Sequence, residues 1–272
     1  MLGHPLANFE NRLADRCAWE SEALVAASPG TKRHILESFR VPPDRVHVIR
    51  NGFDPPAVID HAPPSGCLAL LYAGSLYWNR NPFPFLEALE SLLDEAGVDR
   101  SSVRCRLAGN CDEWKGVSLH DWIEQHHVGD VVEILPFMSS DALKDLVGES
   151  NVLINFAQGQ PRQIPAKSYE CIASRRDILV ITENDSDVAD LFREAGVGYI
   201  VEPQDTAGFS NALRALYRRH VDEPEALENR ADITRYSRTA QLEEFLRVVR
   251  DALTNRDNSG TNTDEGSHGA TH

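Results

Sequence analysis

Positive charge is scarce in this sequence. Across 272 residues, 27 lysines and arginines stand against 42 aspartates and glutamates, which gives a formal net charge of −15. Only four of the basic residues are lysines: Lys32, Lys115, Lys144 and Lys167. Such a chain repels polyanions at long range, so we expect no nucleic-acid partner. A small anionic ligand held by a few placed cations is compatible with this charge.

Long apolar segments are also absent. No apolar run comes near the ~18 residues that a membrane-spanning helix needs. The first residues lack both the basic start and the apolar stretch of a secretory signal. The five cysteines contain no Cys-x-x-Cys pair, which argues against a disulfide framework and a zinc site. We therefore expect a cytoplasmic protein without a membrane span, and peripheral association with a membrane stays open.

The regular part of the chain begins near residue 67, where short apolar stretches start to alternate with amphipathic ones. Strands are predicted at 68–72, 103–107, 131–135, 152–156, 178–181 and 199–201. Helices are predicted at 82–95, 119–126, 140–147, 166–173, 187–195 and 207–218. This alternation is typical of parallel βαβ units with helices on both faces of a sheet. The sequence thus predicts an α/β fold with a Rossmann-like, doubly wound parallel sheet.

The two ends of the chain differ from this regular part. Near the start, short strands are predicted at 24–27 and 46–49, and Ser28 followed by Pro29 is typical of a helix start. Prolines cluster in residues 55–66, which predicts a linker. A last helix is predicted within 235–254, and the polar stretch 255–272 is typical of a disordered tail.

Ligands of an open parallel sheet bind beyond the carboxyl ends of the strands. Four predicted loops lie there, at residues 73–81, 108–118, 136–140 and 157–166. In the first loop, Gly74 allows close approach of the backbone to a ligand, and the planar fork of Arg80 can hold two phosphate oxygens. A tight turn with a solvated arginine explains the same residues equally well.

A second candidate is the helix that is predicted to follow Pro165. Lys167 lies in its first turn, and Glu170 lies one turn later on the same face. A lysine at the positive end of a helix dipole is unfavourable unless an anion is nearby. A lysine on phosphate and a carboxylate on a ribose diol would suit a nucleotide diphosphate. Taken alone, a surface ion pair between Lys167 and Glu170 is the better explanation.

Metal and phosphate motifs give weaker signals. Asp185-Ser186-Asp187 matches the short pattern with which some enzymes hold a divalent metal, but capping of the following helix is the better interpretation. No Gly-x-x-x-x-Gly-Lys-Ser/Thr motif occurs, and no Gly-x-Gly-x-x-Gly follows a strand. We therefore predict that the site holds no metal.

Together, these segments resemble the donor-binding half of a glycosyltransferase of the GT-B fold, of the family 4 type, over about residues 20–253. The likeness rests on several short segments in the same order. These are the crossover at 48–54, the glycine loop at 71–76 with Arg80, the strand ends at 107–109 and 132–138, the helix at 164–173 and the segment 198–205. Several ordered matches are more specific than any single one.

The resemblance implies roles for single residues. Arg80 and Lys167 would hold the pyrophosphate and serve as catalytic cations. Glu170 would bind the ribose hydroxyls, and the backbone around Pro136 and Phe137 would hold the base. The other expected donor contacts are Gly74, Ser75, Gly109, Ile164 and Pro165. The implied substrate is a nucleotide-diphosphate sugar, with no cofactor and no metal, and the implied transfer retains the anomeric configuration.

Two positions depart from the family pattern. Arg162 stands where many members carry a first glutamate, and Ser75 stands where many carry an arginine. These replacements affect the expected contacts with the sugar and with one phosphate.

The resemblance also implies a division of the chain. Residues 1–54 would be the remnant of a first domain with its crossover, and 67–234 the donor domain of an enzyme of polysaccharide or glycoconjugate biosynthesis. A separate subunit could supply the acceptor domain. Two alternatives are a non-catalytic nucleotide-sugar-binding module and a sugar-nucleotide epimerase on the same fold.

Overall fold

The computed structural model of the chain describes residues 5–54, 64–77, 79–224 and 233–261. Its α-helices are α1 (Pro5–Glu20), α2 (Pro29–Phe39), α3 (Phe83–Leu93), α4 (Leu119–Gln125), α5 (Ser140–Gly148), α6 (Ala166–Ala173), α7 (Asp187–Ala195), α8 (Thr206–Tyr217) and α9 (Arg238–Thr261). Its strands are β1 (Leu24–Ala26), β2 (Val46–Val48), β3 (Leu68–Ala73), β4 (Val103–Ala108), β5 (Glu113–Trp114), β6 (Val117–Ser118), β7 (Val132–Leu135), β8 (Val152–Phe156), β9 (Asp177–Ile181) and β10 (Tyr199–Val201). Short helical turns occupy Pro43–Arg45, Arg100–Ser102, Arg218–Asp222 and Thr234–Tyr236.

The main sheet has six parallel strands in the order β10-β9-β8-β3-β4-β7. Strands β8 and β9 are buried along their whole length, and β3 along all but its last residue. Because such strands face helices on both sides, they appear in the sequence as nearly continuous apolar runs. The predicted α/β fold with a doubly wound parallel sheet is confirmed.

The strand order places a switch of direction between β3 and β8. From β3 the chain moves outward to β4 and β7, then returns to β8 on the other side of β3 and continues to β9 and β10. In such sheets the loops on either side of the switch diverge and leave a crevice at the carboxyl ends of the strands. The crevice here lies between the loops that follow β3 and β8.

The helices cover the two faces of the sheet. One face packs against α3, α4 and α8, in a core cluster that includes Phe85, Leu119 and Leu213. The other face packs against α6 and α7, with Tyr169 and Phe192 in its centre. Right-handed crossovers produce this division, because the chain passes over opposite faces when it moves in opposite directions.

A separate parallel pair, β1 with β2, precedes the main sheet and is connected through α2. Helix α2 begins as predicted: the Ser28 side chain accepts a hydrogen bond from the Thr31 N–H, and Pro29 takes the first helical position. A small cluster of Ala26, Val46 and neighbouring side chains holds this unit together.

The antiparallel hairpin of β5 and β6 was not expected from the sequence, which predicted only a loop at 108–118. Its turn residues Lys115 and Gly116 both have positive φ, 51° and 80°, as a two-residue hairpin turn of the primed type requires. Two-residue strands are too short to show alternation in a sequence, so periodicity does not reveal them.

The C-terminal helix is longer than predicted. Helix α9 runs from Arg238 to Thr261, so residues 255–261, predicted to belong to a disordered tail, are helical. Extending an existing helix costs little free energy per residue, and no proline interrupts this segment. Most of the predicted linker, residues 55–63, and the rest of the tail lie outside the described residues. Within the described ranges, no helix has the length and apolar character needed to span a membrane.

Candidate functional site

Two adjoining cavities open at the switch point between β3 and β8. The larger, about 760 Å³, lies between the carboxyl-terminal parts of these strands and helices α5 and α6. The smaller, about 280 Å³, lies beside the glycine loop after β3. Four residues line both cavities: Ala73, Arg80, Leu143 and Lys167. A ligand could therefore extend from one cavity into the other past the two cations.

Two glycines let the loops after β3 and β4 approach each other. The Gly74 N–H donates a hydrogen bond to the Ala108 carbonyl, 2.8 Å away. A Cβ on Gly74 would lie 2.8 Å from the Tyr72 hydroxyl and 2.9 Å from Lys167 Nζ. Gly109 has φ +116°, and a Cβ there would overlap the Gly74 carbonyl oxygen. Any side chain at either position would push the loops or the cations apart.

The guanidinium of Arg80 is fixed from one side. Its Nη1 donates to the Ser75 carbonyl at 3.1 Å and to the Tyr72 hydroxyl at 3.3 Å. Its Cζ lies 4.9 Å from the centre of the Tyr77 ring, a cation–π contact. In the part of the chain that the structure describes, its hydrogen bonds run from Nη1 alone. The remaining donors stay available to a ligand at the cavity wall.

Tyr72 is a site residue that sequence reasoning missed. Its side chain is buried, and its hydroxyl donates to the Ser75 carbonyl at 2.8 Å while it accepts from Arg80. Burial raises the pKa of this hydroxyl to about 12, so it stays protonated and able to donate. The available signal was a polar group in an otherwise apolar strand, two residues before a glycine.

Lys167 lies in the first turn of α6, half-buried beside Gly74. Burial lowers the pKa of its ammonium group; Arg80 also lowers it, while Cys171 and Glu170 raise it. Over the described residues Lys167 forms no ion pair, so the surface pair with Glu170 that the spacing favoured is not present. A partly desolvated cation with no carboxylate at ion-pair distance among the described residues, and with a second cation nearby, is destabilising until an anion joins it.

Helix α6 also places the predicted ribose ligand. Glu170 lies one turn after Lys167, is exposed and lines the larger cavity. The helix is fixed to the sheet from below, because Asn155 Nδ2 on β8 donates to the buried Ser168 hydroxyl at 3.0 Å. Lys167 and Glu170 therefore face the cavity on a helix whose other face is anchored.

The other predicted contacts divide into two groups. Phe137, 85% exposed, lines the smaller cavity together with Gly74, Ser75 and Gly109. Pro165 precedes α6 as its N-cap residue and lines the larger cavity. Two of the predicted residues, Pro136 and Ile164, line neither cavity: Pro136 is exposed and Ile164 is buried in the core.

The hairpin of β5 and β6 supports the glycine loop from outside. Trp114 Nε1 donates to the Tyr77 carbonyl at 3.1 Å, and its ring packs edge-on against Phe83, 6.0 Å between centres. The Nζ atom of Lys115 lies 4.7 Å from the centre of the same indole ring. Sequence reasoning missed this support as well, because the hairpin itself was not visible.

The Asp-Ser-Asp pattern acts as a helix cap. The Ser186 side chain accepts from the Ala189 N–H at 3.1 Å, at the start of α7. Asp187 Oδ2 accepts from the Gly30 N–H at 2.6 Å, so this carboxylate is already engaged. Among the described residues, no cluster of three or more histidines, cysteines, aspartates and glutamates could hold a metal ion. The capping interpretation is confirmed.

A family model described as "Glycosyl transferases group 1" matches residues 60–239, more than half of the chain. A search among curated proteins finds no match. The region of the match contains β3 to β10, the two cavities and both cations.

Several solved structures share the fold at low sequence identity. A glycosyltransferase from Rickettsia africae superposes with a TM-score of 0.66 at 18% identity, over 91% of this chain and 68% of that one. Sucrose-phosphate synthase from Thermosynechococcus elongatus gives 0.61 at 13% identity, over 93% and 65%. Anabaena HepE in complex with UDP gives 0.58 at 14% identity, over 88% and 67%, and its complex with UDP-glucose gives 0.54 at 16%. The chain spans about two thirds of the length of these neighbours, which share the GT-B fold with it.

Proposed function

The chain belongs to the glycosyl transferases of group 1, a family of glycosyltransferase enzymes, and we propose that its cleft binds a nucleotide-diphosphate sugar whose sugar it helps to transfer. One observation carries the proposal. Arg80 and Lys167 line the same two cavities beside Gly74, and within the described residues neither is paired with a carboxylate. A bound diphosphate would supply the negatively charged partner that neither cation has.

The proposed reaction breaks the bond between the anomeric carbon of the sugar and the diphosphate. A bond forms from that carbon to a hydroxyl oxygen of the acceptor, and the hydroxyl proton passes to the departing diphosphate. Negative charge grows on the leaving oxygen in the transition state, so cations fixed beforehand stabilise it more than the ground state. Two side-chain cations can supply this stabilisation without a metal. We propose metal-independent transfer with retention of configuration.

The rest of the donor would extend on both sides of the diphosphate. We assign Glu170 to the ribose hydroxyls, because a carboxylate accepts from a diol and this one lies a single helical turn from Lys167. The base would lie in the smaller cavity, at the exposed ring of Phe137. Since HepE has been solved with UDP and with UDP-glucose, we propose a uridine nucleotide as the first donor to examine.

We further propose that a separate subunit supplies the acceptor-binding domain. Helix α9 exposes an apolar stripe at helical spacing that consists of Leu242, Phe245, Leu246, Val249 and Leu253. Val25 on β1 is 44% exposed, in a parallel pair of strands with only three residues each. Parallel strands are ordinarily covered on both faces, so both features are suited to contact with another domain. Co-purification of a second protein that confers transfer activity would support this part of the proposal, and its absence would contradict it.

Calorimetric titration with UDP and UDP-glucose tests the donor site. We expect Lys167→Ala and Arg80→Ala each to raise the Kd for UDP by about 30- to 100-fold, the cost of removing a charged partner from a partly buried site. Lys32→Ala is the matched control: it removes the same charge from α2, outside both cavities. Equal affinities in all four proteins would refute the donor site. Binding without hydrolysis or transfer would favour a non-catalytic nucleotide-sugar module.

A further inference from the structure

The loop between β8 and α6 is held by contacts that come from the start of the chain. The hydroxyl of Ser28, the N-cap residue of α2, and the hydroxyl of Thr31 in its first turn both donate to the Arg162 carbonyl, at 2.6 and 3.0 Å. The side chain of Arg162 turns toward the same helix, with its Nη1 3.1 Å from His34 Nδ1. Arg162 lines neither cavity.

Asp187, at the start of α7, also connects the same two segments. Its backbone N–H donates to the Pro161 carbonyl at 2.8 Å. Its side chain accepts from the Gly30 N–H at 2.6 Å through Oδ2 and from Arg33 at 3.3 Å through Oδ1. The Asp187 side chain is 1% exposed, so it has little contact with water.

This contact leaves no room for a side chain at Gly30. A Cβ on Gly30 would lie 2.6 Å from Asp187 Oδ2 and 3.0 Å from the Arg162 backbone. The N-terminus of α2 carries partial positive charge and free N–H groups, and a buried carboxylate is the group that stabilises it best. Helix α2 and the loop thus meet at a carboxylate, a glycine and two hydroxyls.

From these contacts we infer that Asp187 is a positioning residue for the donor site. With Ser28 it forms a clasp, defined by Ser28, Gly30, Thr31, Arg162 and Asp187, which holds the loop before α6 in place at residues 161–162. Three residues, 163–165, connect this contact to the first turn of α6, where Lys167 faces the cavity. Fixing the loop fixes the start of the helix, so the cation is placed before the ligand arrives and binding loses less entropy.

The clasp also accounts for the departure at position 162. A residue whose carbonyl and side chain both contact α2 is turned away from the cleft. Arg162 therefore anchors the loop in this chain and does not contact the donor. The inference concerns the same site as the proposed function and rests on it for its effect on ligand affinity.

The first arm of the test needs no ligand. In Asp187→Asn, we expect amide hydrogen exchange across residues 160–170 to become faster by about ten-fold, while exchange in the core strands β3 and β8 stays unchanged. Asp190→Asn is the matched control, because Asp190 lies on the same helix, is exposed and pairs only with Arg193 among the described contacts. Equal exchange in both variants and the wild type would overturn the inference. Ser28→Ala repeats the test should Asp187→Asn fail to fold.

The second arm measures affinity. We expect Asp187→Asn and Ser28→Ala to raise the Kd for UDP by about three- to thirty-fold, the range typical of coupling through packed contacts. UDP should in turn slow exchange at the Gly30 amide, because coupling between two sites is reciprocal. If the clasp has only a structural role, the two substitutions should lower the Tm and leave the Kd for UDP and the effect of UDP on Gly30 exchange unchanged. If the wild type binds none of UDP, GDP and ADP, the proposed function is refuted. If the wild type and the Asp187 variant bind UDP equally, the clasp is refuted.

Discussion

Arg80 and Lys167 face the same cleft, but they are held in place in different ways. The groups that fix Arg80 lie close to it in the chain: the Ser75 carbonyl, and the hydroxyl of Tyr72 eight residues earlier. The loop before Lys167 is held by Ser28, which is 134 residues from its partner Arg162. One cation is therefore positioned by local contacts, and the other by contacts that exist only in the complete fold.

This difference predicts how each half of the site responds to substitutions. The Arg80 side depends on the backbone of the glycine loop, which packs directly against the loop after β4, so a single backbone clash there should destroy it. A long-range arrangement is distributed over several hydrogen bonds, so the loss of one should weaken it by degrees. Three further changes test this contrast on the Arg80 and Lys167 sides.

The largest effect is expected from Gly109→Ala. The methyl group would overlap the Gly74 carbonyl oxygen and would impose a strained φ of +116°. We expect a loss of about 2–4 kcal/mol in the free energy of unfolding, together with loss of measurable UDP binding. Urea denaturation and calorimetry measure the two quantities.

Gly97→Ala is the control for this prediction. Gly97 also has positive φ, +97°, but a Cβ there meets nothing within 4 Å. Gly97→Ala should lower the free energy of unfolding by about 1 kcal/mol, through backbone strain alone, and leave the Kd for UDP unchanged. A Gly109 variant as stable as the Gly97 variant would show that the two loops do not need their close approach.

An intermediate effect is expected from Tyr72→Phe. The change removes the hydroxyl that donates to the Ser75 carbonyl and accepts from Arg80, and leaves the ring in place. The Kd for UDP should rise about five-fold, since one hydrogen bond is worth about 1 kcal/mol. Tyr217→Phe removes a hydrogen-bonded hydroxyl from α8, outside both cavities, and should bind as the wild type does. Equal affinity in both variants would mean that Arg80 is not positioned by Tyr72.

The smallest effect is expected from pH. Burial lowers the pKa of Lys167 below its ordinary value of 10.5, and a bound diphosphate favours the protonated form. Affinity for UDP should therefore decline as pH rises through the lowered pKa, by a few-fold at the upper end of the range in which the protein is stable. Lys167→Arg keeps its charge and should show a flatter profile. Calorimetric titrations at several pH values compare the two, and parallel profiles would contradict the assignment.

Much of the architecture was predictable, because the signals are local. The strands at 152–156 and 199–201 and the helices at 166–173 and 187–195 occur at the predicted residues. Alternation, capping by Ser28 and Ser186, and glycine after a strand all act over a few residues and are visible in the sequence. Arg80 and Lys167 were candidates on such local grounds, and the resemblance to the family assigned them to a pyrophosphate.

Parts of the candidate site were not predictable, because they depend on how side chains and loops turn in three dimensions. Nothing near Tyr72 shows that its hydroxyl meets Arg80, and the hairpin that supports the loop is too short for a pattern. The expected contacts at Pro136 and Ile164 lie outside both cavities, because the exact direction of a loop residue depends on what packs against it.

By itself, the sequence determined the class of fold, the succession of helices and strands, and the places of the cations that we propose bind a diphosphate. These features follow from periodicity, capping and charge, whose free energies are set within one or two turns of chain. Only the tertiary structure decided that β8 lies beside β3, that Arg80 and Lys167 share one cleft, and that Arg162 turns toward α2. The reason is physical: strand order and loop direction are fixed by the packing of residues far apart in the chain, and no local preference specifies which distant partner a segment meets.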